Sequence, residues 1–268
     1  MKILVTVKEV AEAADDFEFS ENGLDIDERY LEYDLNEWDE YAVEEAVSIA
    51  EETDDADVEV VSVTIGPERS EETIRMALAK GVDRAIRVWD GTIEETDFLD
   101  VEARAEILAA VVADEEPDLV LTGVQANDDG FGATGVALAD TIGFEWAAVV
   151  NHLDLDVAEG IAHVHRELEG GVEELTDVEL PAVLSIQTGI NEPRYASLRG
   201  IRQAQSKEIA PYGLSDLGLD AAIVDSPLSL TSMYEPETES SATVFEGDPS
   251  EEAGQLAELL RDRGVVEA

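Results

Sequence analysis

Short, continuous apolar runs alternate with helix-period segments through the first half of the chain. ILVTV (Ile3 to Val7), VEVVSVTI (Val58 to Ile65), AIRVW (Ala85 to Trp89) and DLVLTG (Asp118 to Gly123) read as buried strands. Between them, EYAVEEAVSIAEE places Trp38, Ala42, Ala46 and Ile49 near one helical face, with Asn36 as the expected cap. A second helix is expected from Ser70, carrying Ile74 and Leu78 and ending at Gly81; EARAEILAAVVADEE forms a third. Such alternation predicts an α/β fold: a parallel sheet with helices on both faces. Residues Ala11 to Leu35 interrupt it as a polar excursion with short strands.

After Trp146 the period changes to two. AAVVNHLDLDV, IAHVHREL and VEELTDVEL read as consecutive strands, turned at Glu159-Gly160 and Gly170-Gly171, before a buried strand PAVLSIQ (Pro181 to Gln187). From Thr188 to Asp248 little periodicity remains, and a loop-rich arm is expected. It ends in a short helix capped by Asp248, with Pro249 at its first position and Glu251 positioned for a capping box. The expected organisation is an α/β domain over 1–187, a surface segment over 188–207, and an arm over 208–268 that lies on a partner subunit.

Charge changes the picture. The 268 residues include 65 Asp and Glu but 16 Lys and Arg, a formal net charge of -49, with the acids spread along the chain. Charge so dispersed repels itself unless salt screens it, so the sequence reads as adapted to a salty cytoplasm. Nucleic-acid binding is disfavoured, because phosphate backbones need clustered Lys and Arg. No run approaches the roughly 20 apolar residues of a membrane-spanning helix, so no membrane insertion is expected. There are no cysteines, hence no disulfide and no thiolate metal site. His152, His163 and His165 lack a fourth ligand at suitable spacing, so no metal is expected. Against this acidic background, NEPRYASLRGIRQAQSK gathers Arg194, Arg199, Arg202 and Lys207 with Tyr195, Leu198 and Ile201. Pro193 and Gly200 argue for a surface loop rather than a long helix.

The candidate chemistry lies in the loop GVQANDDGFGATG, Gly123 to Gly135. Gly130 to Gly135 fits the dinucleotide fingerprint, with Asp154 about 20 residues on. The placement is wrong for that motif, which belongs immediately after the first strand. A weaker reading survives, in which a glycine-rich loop at a helix N-terminus offers N–H groups to phosphate. An ordinary glycine-stabilised connection is the alternative.

The segments LVTVKEV, NEWDEYAVEEAV, VSVTIGPERSEETIRMALAKGVDRAIRV, LVLTGVQANDD and LPAVLSIQTGINEPRYASLRGI together resemble the beta subunit of electron-transfer flavoproteins, of a strongly acidic, haloarchaeal kind. The resemblance implies an adenine-nucleotide-binding, Rossmann-like domain of the adenine nucleotide alpha hydrolase type. It implies an alpha-subunit partner carrying FAD, and in this chain AMP or, in bifurcating relatives that use NADH, a second FAD. By resemblance the pocket comprises Thr6, Val7, Asn36, Glu37, Trp38, Asp39, Ile65, Gly123, Gln125, Ala126, Asp128, Asp129, Gly130, Gly132, Ala133 and Thr134. Housekeeping members carry a third acid and then Asn-Gln-Thr in this loop, where this chain has Gly130 to Thr134, which leaves AMP against FAD open. The family's partner contacts fall on Glu167, towards the alpha subunit, and on a recognition segment with Leu198 as anchor, framed by Arg194, Tyr195, Arg199, Ile201 and Arg202. The implied role is a carrier rather than an enzyme, taking electrons from dehydrogenases such as acyl-CoA dehydrogenases towards a membrane quinone oxidoreductase. Alternatives of another class are an ATP-using enzyme or a nucleotide-binding stress protein on the same fold. The first would need a Ser-Gly-Gly loop that VTVKEV does not supply.

Overall fold

The computed structural model describes residues 1–53, 57–96, 98–236 and 242–265. Its elements in chain order are β1 (Lys2–Thr6), β2 (Glu9–Ala13), β3 (Leu31–Leu35), α1 (Glu37–Glu52), β4 (Glu59–Ile65), α2 (Glu71–Lys80), β5 (Arg84–Val88), α3 (Gly91–Glu94), α4 (Val101–Glu115), β6 (Leu119–Gly123) and α5 (Thr134–Ile142). Then follow β7 (Glu145–Asp156), β8 (Ile161–Leu168), β9 (Val172–Glu179), β10 (Ala182–Ile186), α6 (Leu198–Ala204), β11 (Ile209–Tyr212) and α7 (Pro249–Asp262).

A nine-stranded sheet organises the chain, in the order β11-β5-β4-β1-β6-β10-β7-β8-β9. Pairings from β11 through β7 are parallel, and β7, β8 and β9 are antiparallel. β2 and β3 form a separate antiparallel hairpin. The period-two alternation of the strands divides the core. Ile3, Val5, Leu119, Leu121 and Leu184 face α1 and α2, while Leu4, Val61, Val63, Val120 and Val183 face α4 and α5. Burial on both faces is why the parallel strands read as unbroken apolar runs. The chain runs from β1 to β4 and β5 on one side, then crosses to β6 on the other. This reversal opens a crevice beyond the carboxyl ends of β1 and β6, where open α/β sheets bind ligands.

The loop-rich reading of 188–248 is corrected in two places. Residues 198–204 form the helix α6, capped by Ser197, whose hydroxyl accepts from the Gly200 N–H at 3.0 Å. Glycine there reflects packing rather than a break: a Cβ on Gly200 would stand 2.3 Å from the Ala79 carbonyl oxygen at the end of α2. Residues 209–212 form β11 at the edge of the central sheet, parallel to β5. The compact units divide at Met233/Tyr234. In the second unit, α7 carries the expected capping box between Asp248 and Glu251 and buries no residue.

Asn36 also departs from expectation. It stands at the N-cap of α1, yet its side chain makes no capping bond. Its amide instead donates to the Gln125 carbonyl at 2.8 Å, and its Oδ1 accepts from the Asn127 N–H at 3.3 Å. The residue holds the long loop after β6 in preference to its own helix.

Candidate nucleotide cleft and partner surface

Beyond the ends of β1, β4 and β6 lies a cleft lined by Thr6, Val7, Lys8, Asn36, Asp39, Val63, Ile65, Thr122 and Gly123. Leu99, Arg104 and Leu108 close one wall, and Val124 to Ala126, Asp129 and Gly132 to Thr134 form the roof. Most of the cleft's lining is apolar, as in small-molecule sites.

Asp39 ties the floor together. Its carboxylate accepts from the Lys8 N–H at 2.8 Å and the Gly123 N–H at 3.1 Å, joining the ends of β1 and β6. Gly123 must be glycine, because a Cβ would fall 2.5 Å from Asp39 Oδ1 and 2.7 Å from Trp38 Cβ. Burial pushes the Asp39 carboxyl up to about 7, although the two backbone N–H groups oppose the shift.

The roof is fastened by charge. Lys8 Nζ reaches Asp128 at 2.5 Å and Asp129 at 2.8 Å, and Arg104 Nη1 reaches the same Asp129 oxygen at 2.6 Å. Burial raises the Asp129 carboxyl, but these two cations outweigh it and hold the group below its usual value. Phe131 packs edge-on against Phe98 at 6.0 Å. Gly130 and Gly132 take positive φ, 62° and 60°, which leads the loop into α5. Among the described residues no side chain caps α5, so the N–H groups of its first turn, beside the cleft at Ala133 and Thr134, have no side-chain cap.

Of the expected pocket residues, Thr6, Val7, Asn36, Asp39, Ile65, Gly123, Gln125, Ala126, Asp129, Gly132, Ala133 and Thr134 line this one cleft. Glu37, Trp38, Asp128 and Gly130 stand outside the lining. Trp38 donates its indole N–H to Gln187 at 3.0 Å, and Asp128 holds Lys8. Asp154, which the fingerprint spacing singled out, lies on β7 opposite His163 and does not line the cleft. Sequence reasoning missed Lys8, Val63, Leu99, Arg104, Leu108 and Thr122. The scarcity of lysine could have pointed to Lys8, which directly follows the first strand.

The basic segment is divided in two by the fold. Arg194 turns inward: its Nε bonds Glu44 at 2.8 Å and its Nη1 bonds Glu51 at 2.8 Å, both on α1. Asn191 donates to the Tyr41 carbonyl at 3.1 Å, on the same helix. Lys207 donates to the carbonyls of Leu78 and Val82 around the end of α2, and burial holds its ammonium below the usual value. Arg199 and Arg202 are exposed and make no ion pair among the described residues. Between these anchors Tyr195 is 98% exposed, Leu198 79% and Ile201 41%. Glu167, exposed on β8, accepts from Gln187 at 3.4 Å and has the exposed Leu168 as its neighbour in sequence. His163 pairs with Asp177 at 2.6 Å, and the rings of His152 and His165 lie 4.7 Å apart.

The fold is of the α/β class with a mostly parallel sheet, and relatives in sequence narrow it. A family model for the electron transfer flavoprotein domain matches residues 23–217. The chain is 45% identical, over 98% of both sequences, to an electron transfer flavoprotein subunit beta of Methylophilus methylotrophus. It is 32% identical to the subunit beta of Bacillus subtilis (strain 168), over 88% of each. It is 36% identical to the mitochondrial subunit beta of Arabidopsis thaliana, over 88% of this chain and 90% of that one. The chain belongs to the electron transfer flavoprotein family, on its beta-subunit side.

The buried carboxyl gives a pH test. A carboxyl whose pKa is raised by folding contributes stability that is fully present below its ordinary value of 3.8 and lost as pH rises towards about 7. Relative to Asp39→Asn, which cannot ionise, the wild-type unfolding free energy should therefore fall between about pH 4 and about pH 7. Chemical denaturation of both proteins across that range measures the gap; a gap that stays constant with pH contradicts the assignment.

Proposed function

We propose that this chain is the nucleotide-holding subunit of a two-subunit electron carrier, with the cleft taking the adenosine 5′-phosphate part of AMP or of a second FAD. The observation that carries the reading is the convergence of the ends of β1, β4 and β6 with an uncapped α5 N-terminus under a glycine-bearing roof. Backbone N–H groups at a helix start attract phosphate, and Gly132 leaves the approach open, with no atom closer than 3.5 Å to a Cβ built there. The apolar wall of Val63, Ile65, Leu99 and Leu108 suits a purine face.

The alpha subunit supplies the flavin chemistry when FAD is bound there. This chain's part is to hold the nucleotide and to present surfaces. Glu167 and the neighbouring exposed Leu168 suit a contact with the alpha subunit, and so does α7, which buries nothing among the described residues. Tyr195, Leu198 and Ile201, with Arg199 and Arg202 at the rim, suit brief docking of dehydrogenase donors, since a small apolar anchor in a polar rim allows fast release. A membrane quinone oxidoreductase would take the electrons onward. The dispersed charge of -49 fits work in a salt-rich cytoplasm.

Purifying the chain with its alpha partner, denaturing the complex and quantifying the released cofactors tests the reading. A single FAD with a single AMP is the result expected of a carrier that does not bifurcate. Two FAD and no AMP would favour a bifurcating, NADH-using complex, and no adenine nucleotide at all would overturn the cleft assignment. For the docking surface, Leu198→Ala should weaken coupling to a dehydrogenase donor by about 1–3 kcal/mol while leaving cofactor content unchanged. Enzymatic reduction at subsaturating donor, compared with dithionite reduction, reads this directly; unchanged enzymatic reduction removes Leu198 from the role.

A further inference from the structure

The charged groups of the cleft lining are Lys8, Asp39, Arg104 and Asp129. Both cations are already engaged. Asp129 stands between them, 2.8 Å from Lys8 and 2.6 Å from Arg104, and Asp128 takes Lys8 from the outer side at 2.5 Å. The side chains are partly shielded: Lys8 is 31% exposed, Arg104 19% and Asp129 18%. Shielded charges interact through a lower effective dielectric than surface ones and are less screened by salt. Two positive and two negative charges therefore cancel at the roof. Attraction for a phosphate is left to the uncapped turn of α5, a partial charge of about half a unit.

Sites that hold a triphosphate work differently. They set a free lysine against the outer phosphates, and usually a metal ion as well. Here each added phosphate would bring further negative charge towards Asp128 and Asp129, with no unpaired cation in the lining to offset it.

We infer that Asp129 is a specificity-determining residue: by neutralising Lys8 and Arg104 it makes the cleft accept AMP in preference to ADP and ATP. This rests on the cleft being the nucleotide site. Discrimination comes from repulsion of the wrong ligand rather than from an added contact to the right one. Asp128 supports the effect by occupying Lys8 from outside the lining.

Calorimetric titration of the nucleotide-stripped alpha–beta complex with AMP, ADP and ATP tests the inference on wild type, Asp129→Asn and Asp128→Asn. Wild type should prefer AMP to ATP. Asp129→Asn leaves Arg104 without its carboxylate partner and Lys8 with Asp128 alone, and should narrow the AMP-to-ATP ratio by about tenfold, with ADP intermediate, equivalent to about 1.4 kcal/mol. Asp128→Asn should narrow it less. Because the readout is a ratio within one protein, a general loss of stability does not mimic it. An AMP-to-ATP ratio unchanged in Asp129→Asn overturns the inference, whether or not affinity for all three falls because the roof is loosened. A wild-type complex that binds none of the three nucleotides fails at the earlier step and refutes the nucleotide reading itself.

Discussion

One buried carboxylate fixes where the cleft at the strand ends can be. Asp39 starts a helix on one side of the sheet, yet its oxygens take the backbone N–H groups at the ends of two neighbouring strands, β1 and β6. Those N–H groups would otherwise be orphaned where the strands stop pairing. The clamp holds the two strand ends together at the point where the chain reverses direction across the sheet, and it requires Gly123 to pass without a side chain. Asn36, three residues earlier in the chain, takes the carbonyl of Gln125 and the N–H of Asn127 from the loop that follows. The short segment NEWD thus acts as the hinge-pin of the site, and the roof loop hangs from it.

The sequence made the architecture legible because parallel strands are buried on both faces and alternate with amphipathic helices, two patterns that leave little ambiguity. The antiparallel extension was legible from its period of two and its glycine turns. Other features depended on contacts that no local pattern carries. Asn36 has the right identity for a cap, but the loop competed for its amide and won. In α6, Gly200 lowered helix propensity, whereas the backbone of Ala79 left no room for any other residue. In β11, the short IAPY run contains Pro211, which is tolerated at a sheet edge and disguises the strand. The cleft was half legible. Residues near strand ends could be placed by the parallel-sheet rule, while Arg104 comes from the first turn of α4 and enters only through tertiary packing.

The same contacts explain how so acidic a chain uses its few cations. All four lysines are bonded to other parts of the fold. Lys2 pairs with Glu115, Lys8 with Asp128 and Asp129, Lys80 with Glu40, and Lys207 with two helix-end carbonyls. Arg84 bridges Glu59 and Glu115, and Arg194 bridges Glu44 and Glu51. Among the described residues, what remains outward and without an ion pair around the exposed Leu198 is Arg199 and Arg202. The apparent basic cluster at 194–207 is therefore two things at once: an inward pair that staples the segment to α1 and α2, and an outward pair that leaves an apolar tip with positive neighbours on an otherwise negative surface.

The central claim is that strand ends, roof loop and α5 N-terminus form one nucleotide site. Hydrogen–deuterium exchange of the alpha–beta complex, stripped of nucleotide and then supplied with AMP, addresses it most directly. Exchange should slow in the roof and first turn of α5, residues 123–136, and at residues 6–8 where β1 ends, because ligand contacts would order both together. Protection confined to other segments, or no protection in either, would contradict the account.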